Sequence, residues 1–211
     1  MMRIVYILLF GLIGLACSCS GNHASQKAVR HATTAGASVG ADSSPRHKEE
    51  VYIEYLQHLL RMPDLSEEDR TRAEYYLKMA RKNRIGTVAT DFSFTTREGR
   101  RMKLSQFEAE NLVLVFYDPA CPHCGGILER LYHNPRLLQA MAVGKAKVLA
   151  VYTEGNRKLW KETRGEMPME WTIAIDESKI VERNLYDISA MPMVYLLDKD
   201  KRVIIKDAKI E

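Results

Sequence analysis

The pattern of apolar and polar positions changes along the chain, and each pattern predicts a different kind of structure. Residues 4–16 are continuously apolar, residues 20–47 have no apolar periodicity, and residues 48–85 carry apolar side chains at helical spacing. From residue 86 to residue 211, short apolar runs alternate with amphipathic stretches, as strands alternate with helices. The chain is therefore predicted to contain a leader, a linker, a helical segment and an α/β domain.

Residues 1–19 have the features of an export signal, with a basic start, an apolar stretch from Ile4 to Ala16 and a polar continuation. An apolar helix of this length reaches about 20 Å, whereas the bilayer hydrocarbon is roughly 30 Å thick, so it is not predicted to span a membrane. The small residues before Cys17 and Cys19 resemble the lipobox of bacterial lipoproteins, in which a cysteine is lipidated. Cys17 is favoured over Cys19, and signal cleavage without a lipid is the alternative. A diacylated cysteine would supply a lasting membrane anchor.

Residues 20–47 are rich in Ser, Ala, Gly, His and Thr and are predicted to be a flexible linker. Residues 48–85 are predicted to form a helical hairpin with helices at 49–61 and 66–83, because Pro63 ends the first apolar stripe and Ser66 begins a sequence typical of a capping box. Such a hairpin buries little surface alone, so we expect it to pack on the following domain or on a partner.

The domain at residues 86–211 is predicted to be a mixed α/β sheet with helices on both faces. Its most apolar strand, Leu112–Tyr117, has the composition of a strand buried on both sides. The other predicted strands are at 91–97, 101–104, 147–152, 172–175, 194–198 and 203–206, and the predicted helices are at 105–107, 122–142, 157–163 and 179–185.

The candidate chemistry lies directly after the most apolar strand, in the motif Cys121-Pro122-His123-Cys124. Pro122 suits the first position of a helix, which places Cys121 at the helix N-terminus and Cys124 one turn later on the same side. A helix N-terminus stabilises negative charge, so we expect a lowered pKa for Cys121. Cys121 is therefore predicted to attack a substrate disulfide, and Cys124 to resolve the mixed disulfide.

Three other uses of the cysteine pair are less favoured. A structural disulfide closing so short a loop gains little from chain entropy. A zinc site would need further ligands, and the remaining cysteines, Cys17 and Cys19, lie in the leader. Incidental buried cysteines are the third alternative. No metal or cofactor is predicted, and a formal net charge of +4 over 211 residues indicates no nucleic-acid partner.

Residues 86–211 resemble the thioredoxin superfamily, and within it the TlpA/ResA-like branch of membrane-anchored bacterial oxidoreductases. Gly86–Phe92 resembles the G-x-x-A-P-x-F entry of that branch, and Leu104–Phe107 resembles its L-S-x-[LF] turn. Val113–Cys124 matches its apolar strand, loop and CxxC motif, and Met191-Pro192 matches the loop whose proline faces the disulfide.

The resemblance implies a thioredoxin-like fold with thiol-disulfide exchange. It also implies a cis bond before Pro192, and that Met191 and Pro192 expose backbone atoms which bind the extended chain of a substrate. The implied partners are exported cysteine-containing proteins and an inner-membrane redox partner. The implied location is the cell envelope, lipid-anchored and facing the periplasm or the outside.

The sequence departs from the family at the buried proton acceptor. Val115 stands where thioredoxins have an aspartate, and Ile127 stands where many TlpA/ResA-like proteins have a glutamate. His123, Asp118 and Glu129 are the candidates to replace it.

The Pro-His pair between the cysteines is similar to that of the oxidising DsbA type, so we expect a reduction potential above that of thioredoxin. Two other functions stay open. A peroxiredoxin-like peroxidase shares the fold, but it normally has Thr or Ser where Asp118 stands. A non-catalytic binding module of the same fold is the other.

Overall fold

The computed structural model describes residues 44–188 and 190–207. The predicted export signal, both candidate lipidation sites and almost all of the predicted linker lie outside these residues. Among the described helices, none combines the length and the apolar composition that a membrane span requires.

The described residues form one seven-stranded mixed sheet, as the sequence predicts. Its strand order is β2-β1-β5-β4-β3-β6-β7. The central strands β3, β4 and β5 are parallel, and the pairs β1–β2, β1–β5, β3–β6 and β6–β7 are antiparallel. The strands are β1 Ser93–Thr96, β2 Arg101–Lys103, β3 Asn111–Tyr117, β4 Lys147–Tyr152, β5 Thr172–Asp176, β6 Met193–Asp198 and β7 Val203–Lys206.

Five α-helices accompany the sheet in the described part of the chain. They are α1 Pro45–Leu59, α2 Glu67–Ala80, α3 Pro122–Tyr132, α4 Pro135–Ala142 and α5 Arg157–Thr163, with short 3₁₀ turns at Leu104–Gln106 and Arg164–Glu166. The helix α3 starts directly beyond β3, and α5 lies between the parallel strands β4 and β5.

The central strand β3 separates two apolar clusters, because successive side chains of a strand point to opposite faces. Leu114 and Phe116 belong to one cluster, together with residues such as Tyr186 and Tyr195. Val115 and Tyr117 belong to the other cluster, which also contains Cys124. The thiol of Cys124 is thus part of the core on one face of the sheet.

The hairpin of α1 and α2 begins earlier than the sequence predicts. Helix α1 starts at Pro45, inside the predicted linker, because Ser44 caps it by accepting the backbone N–H of His47 at 3.3 Å and Pro45 occupies the first turn. Ser66 caps α2 by accepting the backbone N–H of Asp69 at 3.1 Å. The predicted linker, residues 20–47, therefore overlaps the first residues of helix α1.

The hairpin packs on the sheet domain through a half-buried lysine. Lys206 Nζ donates to the backbone oxygens of Met79, Ala80 and Lys82, at 3.2, 3.3 and 3.0 Å. These carbonyls lie at the C-terminal end of α2, where a cation is favourable. Asn83 adds a second connection, since its Nδ2 donates to the Leu185 carbonyl at 2.9 Å.

The helix predicted at 122–142 is broken into α3 and α4. The break lies at Pro135, which cannot donate a helical hydrogen bond and disfavours helical geometry at the residue before it. Asn134 accordingly has φ −67° and ψ 116°, and its side chain caps α4 by accepting the backbone N–H groups of Arg136 and Leu137 at 3.1 Å each.

The helix predicted at 179–185 is wrong, and the segment instead forms turns. Lys179 and Asn184 bracket it with φ of 57° and 50°, which lie outside right-handed helical geometry. The Asp176 carboxylate accepts the backbone N–H groups of Ser178 and Ile180 at 2.7 and 2.6 Å. This side-chain competition favours a turn over a helix.

Candidate functional site

The two cysteines lie at the junction of β3 and α3, as the motif predicts. Cys121 is the N-cap residue of α3, with Pro122 in the first turn. The backbone N–H of Cys121 donates to the Asp118 carbonyl, and that of Cys124 donates to the Cys121 carbonyl, both at 3.1 Å. Both cysteines are free, and Cys121 is partly exposed whereas Cys124 is 1% exposed.

The two thiols have opposite pKa shifts. The pKa of Cys121 is lowered, chiefly by a hydrogen bond from the Cys124 thiol and then by the backbone N–H groups of His123 and Cys124. Burial and the Asp118 charge partly oppose this lowering. Burial raises the pKa of Cys124 to about 12. At neutral pH, Cys121 therefore has the larger thiolate fraction, which agrees with the predicted nucleophile.

The loop before β6 faces the reactive sulfur. The Cys121 thiol donates to the carbonyl oxygen of Met191 at 3.8 Å. The Met191-Pro192 peptide bond is cis, as the family resemblance implies. Met191 and Pro192 are both half-buried, so this loop lies at the surface beside the thiol that would attack a substrate.

The three candidate proton acceptors differ in position. Asp118 is half-buried, its charge acts on both cysteines, and its Oδ1 accepts the backbone N–H of Ala120 at 2.9 Å. Glu129 is exposed and lines the same cleft as Asp118 and Cys124. His123 is exposed and does not line that cleft. Val115 is fully buried in the cluster that contains Cys124.

A cleft of about 480 Å³ opens beside Cys124, and we refer to it as the dithiol cleft. Its apolar lining consists of Tyr117, Pro119, Leu128, Tyr132, Met167 and Pro168. Asp118, Glu129 and Glu166 add three carboxylates, and none of the described lining residues is Lys, Arg or His. Leu128, Tyr132 and Glu129 come from α3, while Glu166, Met167 and Pro168 form the facing wall after α5.

Arg97, which follows β1, holds this facing wall in place. Its guanidinium donates at 3.3–3.4 Å to five backbone carbonyls, those of Arg164, Met167, Pro168, Met169 and Trp171. Arg164 in turn donates to the Arg97 carbonyl at 2.7 Å and lies 4.8 Å from the Trp160 ring centre. No local sequence pattern connects Arg97 with residues 164–171, so the sequence alone does not predict this wall.

Tyr117 lines the dithiol cleft, and its hydroxyl is buried. Burial raises the pKa of Tyr117, and the neighbouring indole of Trp160 partly opposes that rise. The indole and the hydroxyl are both buried, but within the described residues neither has a partner in hydrogen-bond geometry. A buried polar oxygen without a partner is unusual in a folded protein.

A metal centre does not account for these carboxylates. In the part of the chain that the structure describes, no group of three or more His, Cys, Asp or Glu side chains is arranged to hold a metal ion.

The chain is similar to known proteins over its sheet domain. The model of the family described as AhpC/TSA matches residues 85–206. The curated thiol-disulfide oxidoreductase ResA of Bacillus cereus is 25% identical over 129 residues, which cover 61% of this chain and 72% of that protein.

Solved structures extend the similarity. A thioredoxin-like protein from Bacteroides caccae is 36% identical, with a TM-score of 0.71 over 77% of this chain. The match covers 59% of that protein, so this chain spans less than two thirds of its length. A domain of a possible thiol-disulfide isomerase from Cytophaga hutchinsonii is 28% identical, with a TM-score of 0.52 over 60% of this chain and 85% of that domain.

Proposed function

Because the chain belongs to the AhpC/TSA family of thioredoxin-fold proteins, we propose that it is a thiol-disulfide oxidoreductase that exchanges disulfides with exported proteins through Cys121 and Cys124. The observation that carries the proposal is the inequality of the two thiols. A partly exposed sulfur with a lowered pKa lies beside a buried sulfur with a raised pKa, one helical turn away. This is the arrangement that a nucleophile and a resolving thiol require.

The reaction proceeds through a mixed disulfide. The Cys121 thiolate attacks one sulfur of the substrate disulfide, so that the substrate S–S bond breaks and its other sulfur leaves as a thiolate that takes up a proton. Cys124 then loses its proton and attacks Cys121, which forms the Cys121–Cys124 disulfide and releases the second substrate sulfur. Two electrons have passed to the substrate. A dithiol redox partner at the membrane restores the reduced pair, and the same steps in reverse oxidise a substrate dithiol.

Proton transfer from Cys124 needs an acceptor, since its pKa is about 12. Asp118 is the best placed carboxylate, because its charge acts on both sulfurs and its side chain lines the cleft that Cys124 reaches. It takes the place of the family carboxylates that are absent at Val115 and Ile127.

The leader and the family support the proposed location and partners. The export pattern in residues 1–19, with Cys17 or Cys19 as the lipidated residue, supports a lipid-anchored protein in the cell envelope, facing the periplasm or the outside. Its partners there are exported cysteine-containing proteins and an inner-membrane redox protein.

Single cysteine variants test the proposal. Cys121→Ser should abolish reduction of insulin disulfides, and Cys124→Ser should accumulate mixed disulfides with substrates because the resolving thiol is gone. Full activity in both variants would contradict the proposal, and traps in Cys121→Ser alone would reverse the two roles.

A hydrogen peroxide assay tests the alternative that the protein is a peroxidase. Since Asp118 offers no hydroxyl at the position where peroxidases have Thr or Ser, hydrogen peroxide should disappear at the uncatalysed rate while insulin is reduced. Rapid peroxide consumption that depends on Cys121 would favour the peroxidase.

A further inference from the structure

We propose that the dithiol cleft binds a lysine or arginine side chain that flanks the reacting cysteine of a polypeptide substrate. The inference rests on the proposed function and names the substrate class of the same site. Its first basis is the character of the lining, which combines apolar and aromatic surfaces with three carboxylates. Lysine and arginine have the matching structure, an apolar stem that ends in a cation.

The carboxylates of the cleft are not neutralised by the protein itself. Within the described residues, Asp118, Glu129 and Glu166 make no ion pair, although eight ion pairs are present elsewhere. The two arginines next to the facing wall already have partners within the protein. Arg97 donates to backbone carbonyls, and Arg164 donates to the Arg97 carbonyl and stacks on Trp160. The negative charge of the cleft is therefore left for a ligand.

The aromatic lining of the cleft supports the same ligand. Tyr117 and Tyr132 line the cleft, and the face of an aromatic ring attracts a cation. An ammonium or guanidinium group consists of hydrogen-bond donors only, and the three carboxylates of the cleft can accept those bonds.

The active-site helix leaves room for such a side chain. Helix α3 has glycine at 125 and 126, directly after Cys124, although glycine weakens a helix interior. A Cβ at either glycine would meet no atom within 4 Å, but only Gly125 lines the cleft. The absent side chain at Gly125 keeps the cleft open beside the sulfurs.

The geometry brings the cleft within reach of a substrate held by Cys121. Cys124 lines the cleft, and Cys121 lies one turn away, which is about 5 Å along the helix axis. An extended lysine or arginine next to the attacked cysteine spans that distance. The Met191 carbonyl, 3.8 Å from the Cys121 sulfur, does not line the cleft, so a substrate backbone bound there would leave the cleft free for the flanking side chain.

The net charge of the chain predicts a preference for anionic substrates, which is opposite to the preference that we propose for the dithiol cleft. The chain has a formal net charge of +4, so its overall field favours anionic partners. A preference for cationic substrates therefore needs local negative charge, which the carboxylates near the dithiol supply.

The test uses three peptides, each closed by one disulfide, that differ only in whether lysine, glutamine or glutamate flanks the cysteines. The reduced protein should reduce the lysine peptide with a kcat/KM about tenfold above that of the glutamate peptide at low salt, and the ratio should fall as salt is added. The double change Glu129→Gln with Glu166→Gln should lower the ratio to about two, whereas Glu162→Gln, an exposed residue of α5 outside the cleft, should leave it unchanged.

Two glycine variants provide a matched steric control. Gly125→Ala and Gly126→Ala should both raise the thermal stability of α3, because alanine is the better helix former. Only Gly125→Ala should raise KM for the lysine peptide, by about threefold, since the added methyl group narrows the cleft.

The outcomes separate this inference from the proposed function. Equal kcat/KM for all three peptides, with clear disulfide reduction, would overturn the inference and leave the proposed function standing. A lysine preference that Glu162→Gln removes as strongly as the Glu129 and Glu166 changes would also overturn it. Failure to reduce any of the peptides, the neutral one included, would overturn both.

Discussion

Two clefts of similar size differ in whether their charged side chains form ion pairs within the protein. The dithiol cleft has a volume of about 480 Å³ and carries three carboxylates without an ion pair. The second cleft, about 610 Å³, lies between the hairpin and the strands β6 and β7, and we call it the hairpin cleft. Three of its five charged lining residues, Glu49, Asp187 and Lys206, form ion pairs within the protein, since Arg84 pairs with Glu49 at 3.4 Å and Lys206 pairs with Asp187 at 3.7 Å.

The difference indicates separate roles for the two clefts. In the hairpin cleft, Glu49 also accepts the backbone N–H of Ile85 at 3.2 Å, so its charge fixes the chain between α2 and the sheet. Lys206 is partly desolvated, and burial lowers its pKa, while Asp187 opposes that lowering. These groups connect two parts of the fold. The unpaired carboxylates beside Cys124 add no such connection, which is expected of groups that bind a substrate.

The largest expected effect on stability comes from replacing Lys206 in the hairpin cleft. Lys206→Met removes the three hydrogen bonds to the end of α2 and leaves Asp187 without its cation, so we expect a loss of about 2–3 kcal/mol in the free energy of unfolding. Urea denaturation measures it. Lys199→Met, an exposed residue of the β6–β7 turn, is the control and should change stability by less than about 0.5 kcal/mol.

A second prediction concerns the wall of the dithiol cleft. Arg97→Met removes the guanidinium that accounts for five contacts to backbone carbonyls, so the wall should loosen and stability should fall by about 1–2 kcal/mol. KM for the lysine peptide should rise, while the rate of iodoacetamide alkylation of Cys121 should not change. A wild-type KM would show that the wall does not contribute to binding.

The smallest expected effect on stability comes from neutralising a carboxylate of the dithiol cleft. Glu129→Gln and Glu166→Gln should each change the free energy of unfolding by less than about 0.5 kcal/mol, because neither carboxylate has a cationic partner to lose. A loss above about 1 kcal/mol in urea denaturation would mean that these charges stabilise the fold, as those of the hairpin cleft do.

The sequence predicts the parts of the molecule that depend on neighbouring residues. The apolar run of β3 followed by Cys121-Pro122 places the dithiol at a helix start, and that is where it lies. The prediction fails where local patterns compete. The helical spacing of apolar residues continues past Pro135, so it does not reveal the break before α4. After β5, the Asp176 carboxylate accepts backbone N–H groups, and the segment forms turns instead of a helix.

The dithiol cleft depends on contacts that are distant in sequence. Its wall comes from residues 163–168, and the guanidinium of Arg97 holds that wall from across the sheet. Nothing in the local sequence of either segment indicates the other. Only the crossover from β4 through α5 to β5 brings them beside Cys124.

The pH dependence of cysteine alkylation tests the central claim, the inequality of the two thiols, most directly. The reduced protein is treated with iodoacetamide from pH 5 to pH 10, and mass spectrometry measures the modification of each cysteine. Since only the thiolate reacts, Cys121 should be modified with a midpoint below the ordinary thiol value of 9.0, and Cys124, with a pKa of about 12, should stay unmodified over the whole range. Equal midpoints for the two cysteines, or modification of Cys124 first, would contradict the account.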